Sequence, residues 1–152
     1  MNAKKTLLIV LLVAVAGYAV YRIVKDRFTS EEARIRKLIR EIEEDFESKE
    51  LKKCLAVVSE EYSDNFLHDS KTELEGNLRL LFRASRTIQA NVEDISIRID
   101  GDEADVALTA TGTASTTFGD VSLHREVGYT RFLITTRKEH GRWKVFRVQG
   151  VD

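Results

Sequence analysis

The chain has 152 residues, of which 43% are hydrophobic and 32% are charged, so it is long enough for one domain with a hydrophobic core and too short for two ordinary domains. Five of its 24 basic residues and one of its 25 acidic residues lie in residues 1–27, which leaves a net charge of −5 for the rest. An acidic domain without a basic, aromatic-rich cluster argues against nucleic-acid binding. We therefore expect no nucleic-acid partner.

The N-terminal stretch from Thr6 to Val24 is apolar apart from Arg22, and lysines precede it. As an α-helix it approaches the roughly 30 Å thickness of a bilayer's hydrocarbon core. We therefore predict a membrane anchor over residues 1–27, followed by a globular domain over residues 28–152. The membrane is then the first expected partner of the chain.

A cleaved signal peptide is the alternative for this segment, because Ala14, Ala16 and Ala19 offer cleavage sites. The apolar character continues beyond these alanines, which favours an anchor that remains attached. A short basic segment before an apolar stretch is typical of export signals. We therefore expect a single-pass protein of the cell membrane whose globular domain lies outside the cytoplasm.

Three helices are predicted after the anchor. The first begins at the capping-box pattern Thr29-x-x-Glu32, and its apolar residues follow helical spacing: Ile35, Leu38, Ile39, Ile42 and Phe46. The second covers "SKELKKCLAVVSEEY", where Cys54 falls among apolar residues and is expected to be a buried core thiol. The third lies in "DSKTELEGNLRLLFRASRTIQ", with Ser70 and Thr72 as rival N-caps.

From Asn91 onward the apolar residues alternate, which predicts strands. An Asp100-Gly101-Asp102 turn predicts a hairpin, and further breaks fall near Gly119 and Gly141. In the last strand, alternation places Trp143 and Val145 on one face and Phe146 and Val148 on the other. We therefore expect this strand to be buried on both faces.

This order of elements, with the phrases "SEEYSDNF", "IRIDGDEADVALTATG" and "RKEHGRWKVFRVQG", resembles the nuclear-transport-factor-two-like (NTF2-like) superfamily, which includes SnoaL-like and ketosteroid-isomerase-like domains. The resemblance implies an α+β, cystatin-like cone: three helices packed on a strongly curved antiparallel sheet, with a pocket at the wide end. The superfamily contains enzymes, ligand binders and adaptors, so the resemblance does not assign an activity.

In enzymes of this superfamily, the segment after the second helix supplies a pocket carboxylate. The corresponding segment here contains Tyr62, Asp64 and His68 as candidate catalytic residues, with Asp69 beside them. The first helix lacks the Tyr that an isomerase-like arrangement would place opposite the Asp. We therefore interpret Asp64 and Asp69 as turn and cap residues and Tyr62 as a rim aromatic, and commit to no catalytic residue.

Three polar residues of the predicted sheet, Arg131, Arg147 and Gln149, are candidates for binding an anionic ligand. The spacing of the histidines matches no metal motif, and no Gly-rich phosphate loop occurs, so no metal and no cofactor are expected.

The function predicted from these observations is that of a binding or assembly adaptor of the cell envelope, rather than of an enzyme. Its partner, another protein or a second copy, is expected on an exposed sheet face bearing Thr117, Val121, Leu123 and Tyr129. The alternative is a small-molecule isomerase, hydratase or lyase, or a small-ligand binder, that uses the pocket. A filled cone would indicate the adaptor, whereas an apolar cavity with one carboxylate would indicate the enzyme or ligand binder.

Overall fold

The computed structural model describes residues 3–151, without the side chains of residues 3, 4, 6–8, 28 and 29. The chain divides into two compact units, Met1–Arg34 and Ile35–Asp152. The helices are α1 (Ala3–Glu47), α2 (Leu51–Ala56), α3 (Lys71–Ala84) and α4 (Leu123–Val127). The strands are β1 (Val58–Asp64), β2 (Ser85–Asp100), β3 (Glu103–Thr116), β4 (Gly119–Ser122), β5 (Arg131–Glu139) and β6 (Arg142–Val151).

The first unit contains the N-terminal part of α1. Large apolar side chains between Ile9 and Val24 are exposed, among them Leu12 and Tyr18 at 60% and 61%. No helix in the described part of the chain is both long enough and apolar enough to cross a membrane. The predicted span begins at Thr6, and the side chains of residues 6–8 lie outside those described.

The helix expected to begin at Thr29 in fact begins upstream, because α1 is helical from Ala3 to Glu47. The side chain of Thr29 lies outside the described residues. Of the rival caps of α3, Ser70 is the N-cap, and its hydroxyl accepts a hydrogen bond from the backbone N–H of Glu73.

The second unit contains a six-stranded sheet in the order β1-β6-β5-β3-β2, with β4 paired to β3. The expectation of a wholly antiparallel sheet is wrong at one edge, where β1 pairs with β6 in parallel. The second helix accordingly ends at Ala56 rather than near Tyr62. The residues from Val58 to Asp64 instead form a strand that buries Val58 and Tyr62.

The core of the second unit lies between α1 and the sheet. Ile35, Leu38 and Ile39 of α1 pack against β3 and against Trp143 of β6. Leu38 and Ile39 follow Ile35 by three and four residues, so the three side chains share one helical face. The predicted apolar stripe of this helix and the burial of Trp143, which is 6% exposed, are confirmed.

The last strand departs from simple alternation because its pairing register shifts between Thr135 and Thr136 of the neighbouring β5. A β-bulge of this kind inserts one residue and returns the next side chains to the same face. As a result Val148 packs on the same cluster as Val145, where alternation placed them on opposite faces. The other face of β6 is covered at Phe146 by the guanidinium of Arg137, 4.3 Å from the ring centroid.

The predicted hairpin is confirmed, with Asp100 paired to Glu103 and Gly101 at a φ of +61°, a value that glycine adopts without strain. Its first strand begins at Ser85, six residues before the predicted start at Asn91. A second bulge in this strand includes Asp94, which has a φ of +55°.

Candidate functional site

An apolar cavity of about 280 Å³ lies in the second unit, bounded by α1, the sheet and α4. The sheet contributes Val92 and Leu108, whereas Ile42 and Phe46 belong to α1. The other lining residues are Ile39, Glu43, Ala90, Ala110, Thr111, Gly112, Leu123, His124, Val127, Phe132, Ile134 and Val148. The described interior is therefore an apolar cavity with one carboxylate side chain, and not a filled cone.

The helix α4 covers part of this cavity. Its residues Leu123, His124 and Val127 lie at i, i+1 and i+4 and contribute to the lining. This stretch was expected to belong to an exposed sheet face that bears Leu123. The sequence signal for a helix was the Leu123–Val127 spacing followed by Gly128, which caps α4 with a φ of +87°. Five residues are too few for apolar periodicity to identify the helix.

Three lining residues carry polar side chains: Glu43, Thr111 and His124. The Glu43 carboxylate accepts the backbone N–H of Val92 at 3.2 Å. The His124 ring lies near the hydroxyl of Ser122, with Nε2 at 3.1 Å and Nδ1 at 3.2 Å from Oγ. These side chains are the available groups for orienting a bound molecule.

The cavity adjoins a polar recess of about 410 Å³. The two share Ala90, Thr111, Gly112 and His124, and Glu47 also lines the recess. The Glu47 carboxylate accepts the N–H of Ala90 at 2.8 Å. The cavity therefore has a polar end on the side of β2 and β3.

The candidate catalytic residues Tyr62, Asp64 and His68 form a cluster of their own. The Asp64 carboxylate lies 2.5 Å from Nδ1 of His68, and it accepts the Tyr62 hydroxyl at 3.0 Å. Its other oxygen accepts three backbone N–H groups at 2.7–3.1 Å, from Phe66, Leu67 and His68. The neighbouring Asp69 is exposed, and its backbone N–H bonds to Glu73 at the start of α3.

The electrostatics of this cluster follow from burial and hydrogen bonding. Burial of the Asp64 carboxylate opposes ionisation, but the backbone N–H groups of Leu67 and His68, with the other bonds, lower its pKa below the usual value. Burial and then the adjacent Asp64 charge raise the pKa of the Tyr62 hydroxyl. Tyr62 therefore remains a hydrogen-bond donor, and Asp64 is an ionised anchor of the loop between β1 and α3.

His68 is 7% exposed, and its Nε2 has no hydrogen-bond partner within the described residues. The ring of Phe66 lies 6.4 Å from that of His68 and 5.8 Å from Phe132, which lines the apolar cavity. None of Tyr62, Asp64 and His68 lines that cavity.

The candidate anion-binding residues also lie away from the cavity lining. Arg131, Arg147 and Gln149 alternate along β5 and β6 with Phe132 and Val148, which do line it. Arg131 contributes instead to a second recess of about 380 Å³, which shares His124 with the cavity.

Of the residues expected on an exposed sheet face, Leu123 lines the cavity and Val121 is half-buried. Tyr129 packs its ring against Gly150, where an added Cβ would collide with it. Thr117 is exposed. These four residues therefore do not form one exposed patch.

The described residues contain no group of three or more His, Cys, Asp or Glu side chains placed to bind a metal ion. Cys54 is buried, as predicted, and burial, followed by the charge of Asp45, raises the pKa of its thiol to about 11. Because the thiolate is the reactive form, Cys54 is unreactive near neutral pH.

No protein-family model and no curated protein sequence matches the chain. Solved structures do match its fold. A protein from Novosphingobium aromaticivorans, provisionally named a scytalone dehydratase, is 14% identical with a TM-score of 0.71, over 82% of this chain and 85% of that one.

Two further solved structures have a similar fold. A provisionally named dehydratase of the NTF2-like family from Streptomyces avermitilis is 13% identical, with a TM-score of 0.66 over 82% of this chain and 98% of that one. An NTF2-like protein of unknown function from Pseudomonas putida is 13% identical, with a TM-score of 0.63 over 80% of this chain and 85% of that one. The NTF2-like α+β fold expected from the sequence is therefore confirmed, and identities this low show the fold alone.

Proposed function

We propose that the second unit is a binding module for a small, largely apolar molecule held in the cavity between α1, the sheet and α4. The observation that carries this proposal is the cavity of about 280 Å³, whose lining is predominantly hydrocarbon. A water needs only about 10–15 Å³ of such volume, so a cavity of about 280 Å³ has room for a small organic molecule. A ligand of this size gains most of its affinity from apolar contact.

Binding is favoured over turnover by Tyr62, Asp64 and His68, because these three candidate acid and base residues do not line the cavity. Asp64 is fully occupied by five hydrogen bonds, and its side chain has no exposed surface. General acid-base catalysis needs a titratable group within hydrogen-bond reach of the bound substrate. The Asp64 cluster does not line the cavity, so it does not meet this condition there.

The test is a cavity-filling variant with a matched control on the same strand. Ala110 lines the cavity, whereas Ala107 is exposed on the other face of β3. Calorimetric titration of the full chain with 1-octanol should show binding that Ala110→Phe abolishes and Ala107→Phe retains. Equal binding by the wild type and Ala110→Phe would show that the cavity is not the binding site.

A lyase, isomerase or hydratase is the second candidate function. The buried His68 beside Asp64, with its unpartnered Nε2, is the observation that favours it, and two of the structural neighbours are provisionally named dehydratases. Mass spectrometry of a ligand that co-purifies with the protein distinguishes the two functions. A binding module returns the ligand unchanged. Loss of one water molecule from the ligand would favour a dehydratase, provided that His68→Asn abolishes this loss.

We also propose that the apolar part of α1 attaches the protein to a membrane, with the second unit outside the cytoplasm. The support is the sequence from Thr6 to Val24 and the exposure of large apolar side chains between Ile9 and Val24. A helix that is apolar all round is unstable in water and needs an apolar environment. Membrane fractionation with N-terminal sequencing should recover the intact chain in the membrane, and a soluble product that begins near Gly17 would refute the anchor. The membrane-attached protein is also the form for which we propose assembly with a protein partner or with a second copy.

A further inference from the structure

The polar end of the apolar cavity indicates which ligands it selects. We infer that the cavity takes apolar molecules with a hydrogen-bond donor as head group, an alcohol or an amine, and discriminates against carboxylates, with Glu43 as the specificity-determining residue. This inference rests on the proposed binding function and names the ligand class of the same site.

Glu43 is half-buried on α1, and it is the one carboxylate among the described lining residues. Its Oε1 accepts the N–H of Val92, which fixes the carboxylate at the wall. A carboxylate offers two oxygens and about four acceptor positions, and no donor. A ligand hydroxyl or ammonium can therefore donate to it, whereas a ligand carboxylate meets a second negative charge in an apolar environment.

The other two polar lining residues are compatible with a donor head group. The hydroxyl of Thr111 both donates and accepts. The ring of His124 offers two nitrogens, of which Nδ1 lies 3.5 Å from the backbone N–H of Gly112.

The surroundings of the cavity support the same assignment. The polar recess that shares four residues with the cavity brings a second carboxylate, Glu47, to this end. Arg125 and Arg131 line the other recess, which shares only His124 with the cavity. Arg131 also alternates with Phe132 along β5, so it belongs to the opposite face of the sheet. The polar end therefore has two carboxylates, Glu43 and Glu47, and neither lysine nor arginine among the described lining residues.

The experiment compares chain-matched probes on the full-length protein. Calorimetric titration at pH 7 with 1-octanol, octylamine and octanoate should show that octanoate binds at least about tenfold more weakly than the other two. Glu43→Gln keeps the oxygen that accepts from Val92 and removes the charge. It should bring the octanol and octanoate affinities within about threefold of each other. Glu44→Gln, an exposed charge change one residue along α1, should leave the wild-type ratio unchanged.

Toluene, which has no head group, separates this inference from the function on which it rests. If toluene binds and Ala110→Phe abolishes its binding, the cavity is a binding site whatever the head-group result. Octanoate binding as tightly as octanol, or a ratio that Glu43→Gln does not change, would then overturn the inference alone. Octanoate binding more tightly, and weakened by Arg125→Gln, would assign the head group to the second recess instead. If neither toluene nor octanol binds, the proposed function fails first.

Discussion

Replacing Asp64 by Ala should destabilise the protein far more than an ordinary loop substitution. The change removes the acceptor for the Tyr62 hydroxyl and the His68 ring, which are both more than nine-tenths buried. Each buried donor left without a partner costs about 1–3 kcal/mol, and the loop N–H groups of Phe66 and Leu67, which water can reach, cost less. The free energy of unfolding should therefore fall by about 3–6 kcal/mol, a large share of the 5–15 kcal/mol typical of a domain.

Urea unfolding of the full chain, followed by the fluorescence of Trp143, measures this loss because Trp143 is the only tryptophan in the sequence and is buried. Asp69→Ala is the matched control, since Asp69 is exposed at the end of the same loop, and it should change the unfolding free energy by less than about 0.5 kcal/mol. An Asp64→Ala protein within about 1 kcal/mol of the wild type would refute a structural role for this carboxylate.

Three further predictions concern stability. The pKa of Asp64 is lower in the folded protein than in the unfolded chain, so ionised Asp64 stabilises the fold. This stabilisation is complete above the unfolded pKa of about 3.9 and is lost as the pH falls through the folded pKa. The difference in unfolding free energy between the wild type and Asp64→Asn should therefore shrink from pH 7 to pH 3 in urea titrations. Trp143→Ala should cost about 3–5 kcal/mol in the same assay, and the wild-type emission should be blue-shifted before unfolding and move to the red after it. Gly150→Ala should destabilise by more than about 1 kcal/mol, since the new Cβ collides with the Tyr129 ring, and Tyr129→Ala should relieve most of that loss when the two are combined.

Sequence patterns predicted the elements whose signal lies within one segment. The stripe that begins at Ile35 identified the face of α1 that packs on the sheet, and Asp100-Gly101 identified the long hairpin, since helical spacing and a turn residue are local properties. The strand β1 was missed because its parallel partner β6 lies 84–87 residues away in the sequence. Likewise the bulge near Phe146 depends on the register with β5, which alternation within one strand does not contain.

The site could be predicted only in part for the same reason. The sequence drew attention to Tyr62, Asp64 and His68, which are close together because they belong to one loop and the strand before it. The sequence did not identify Glu43 or His124 as site residues. Glu43 is one of many charged residues on α1, and His124 belongs to a short helix that was not recognised. They line one cavity only because α1 and α4 both pack at the sheet, which brings together residues 81 positions apart in the sequence.

The hydrogen bonds that the N–H groups of Ala90 and Val92 donate to Glu47 and Glu43 also bear on whether another strand can add at this edge of the sheet. The strand β2 ends the sheet order, and a terminal strand exposes N–H groups on which a strand of another molecule can nucleate. Glu43 and Glu47 lie one helical turn apart on α1, and they accept the N–H groups of the alternate β2 residues Val92 and Ala90. Two N–H groups of the edge strand are therefore already hydrogen-bonded. The bulge at Asp94 interrupts the edge a little further along. Another chain would have to break these charge-assisted hydrogen bonds before it could add a strand to β2. The helix α1 therefore protects the sheet edge from strand addition and also forms a wall of the cavity.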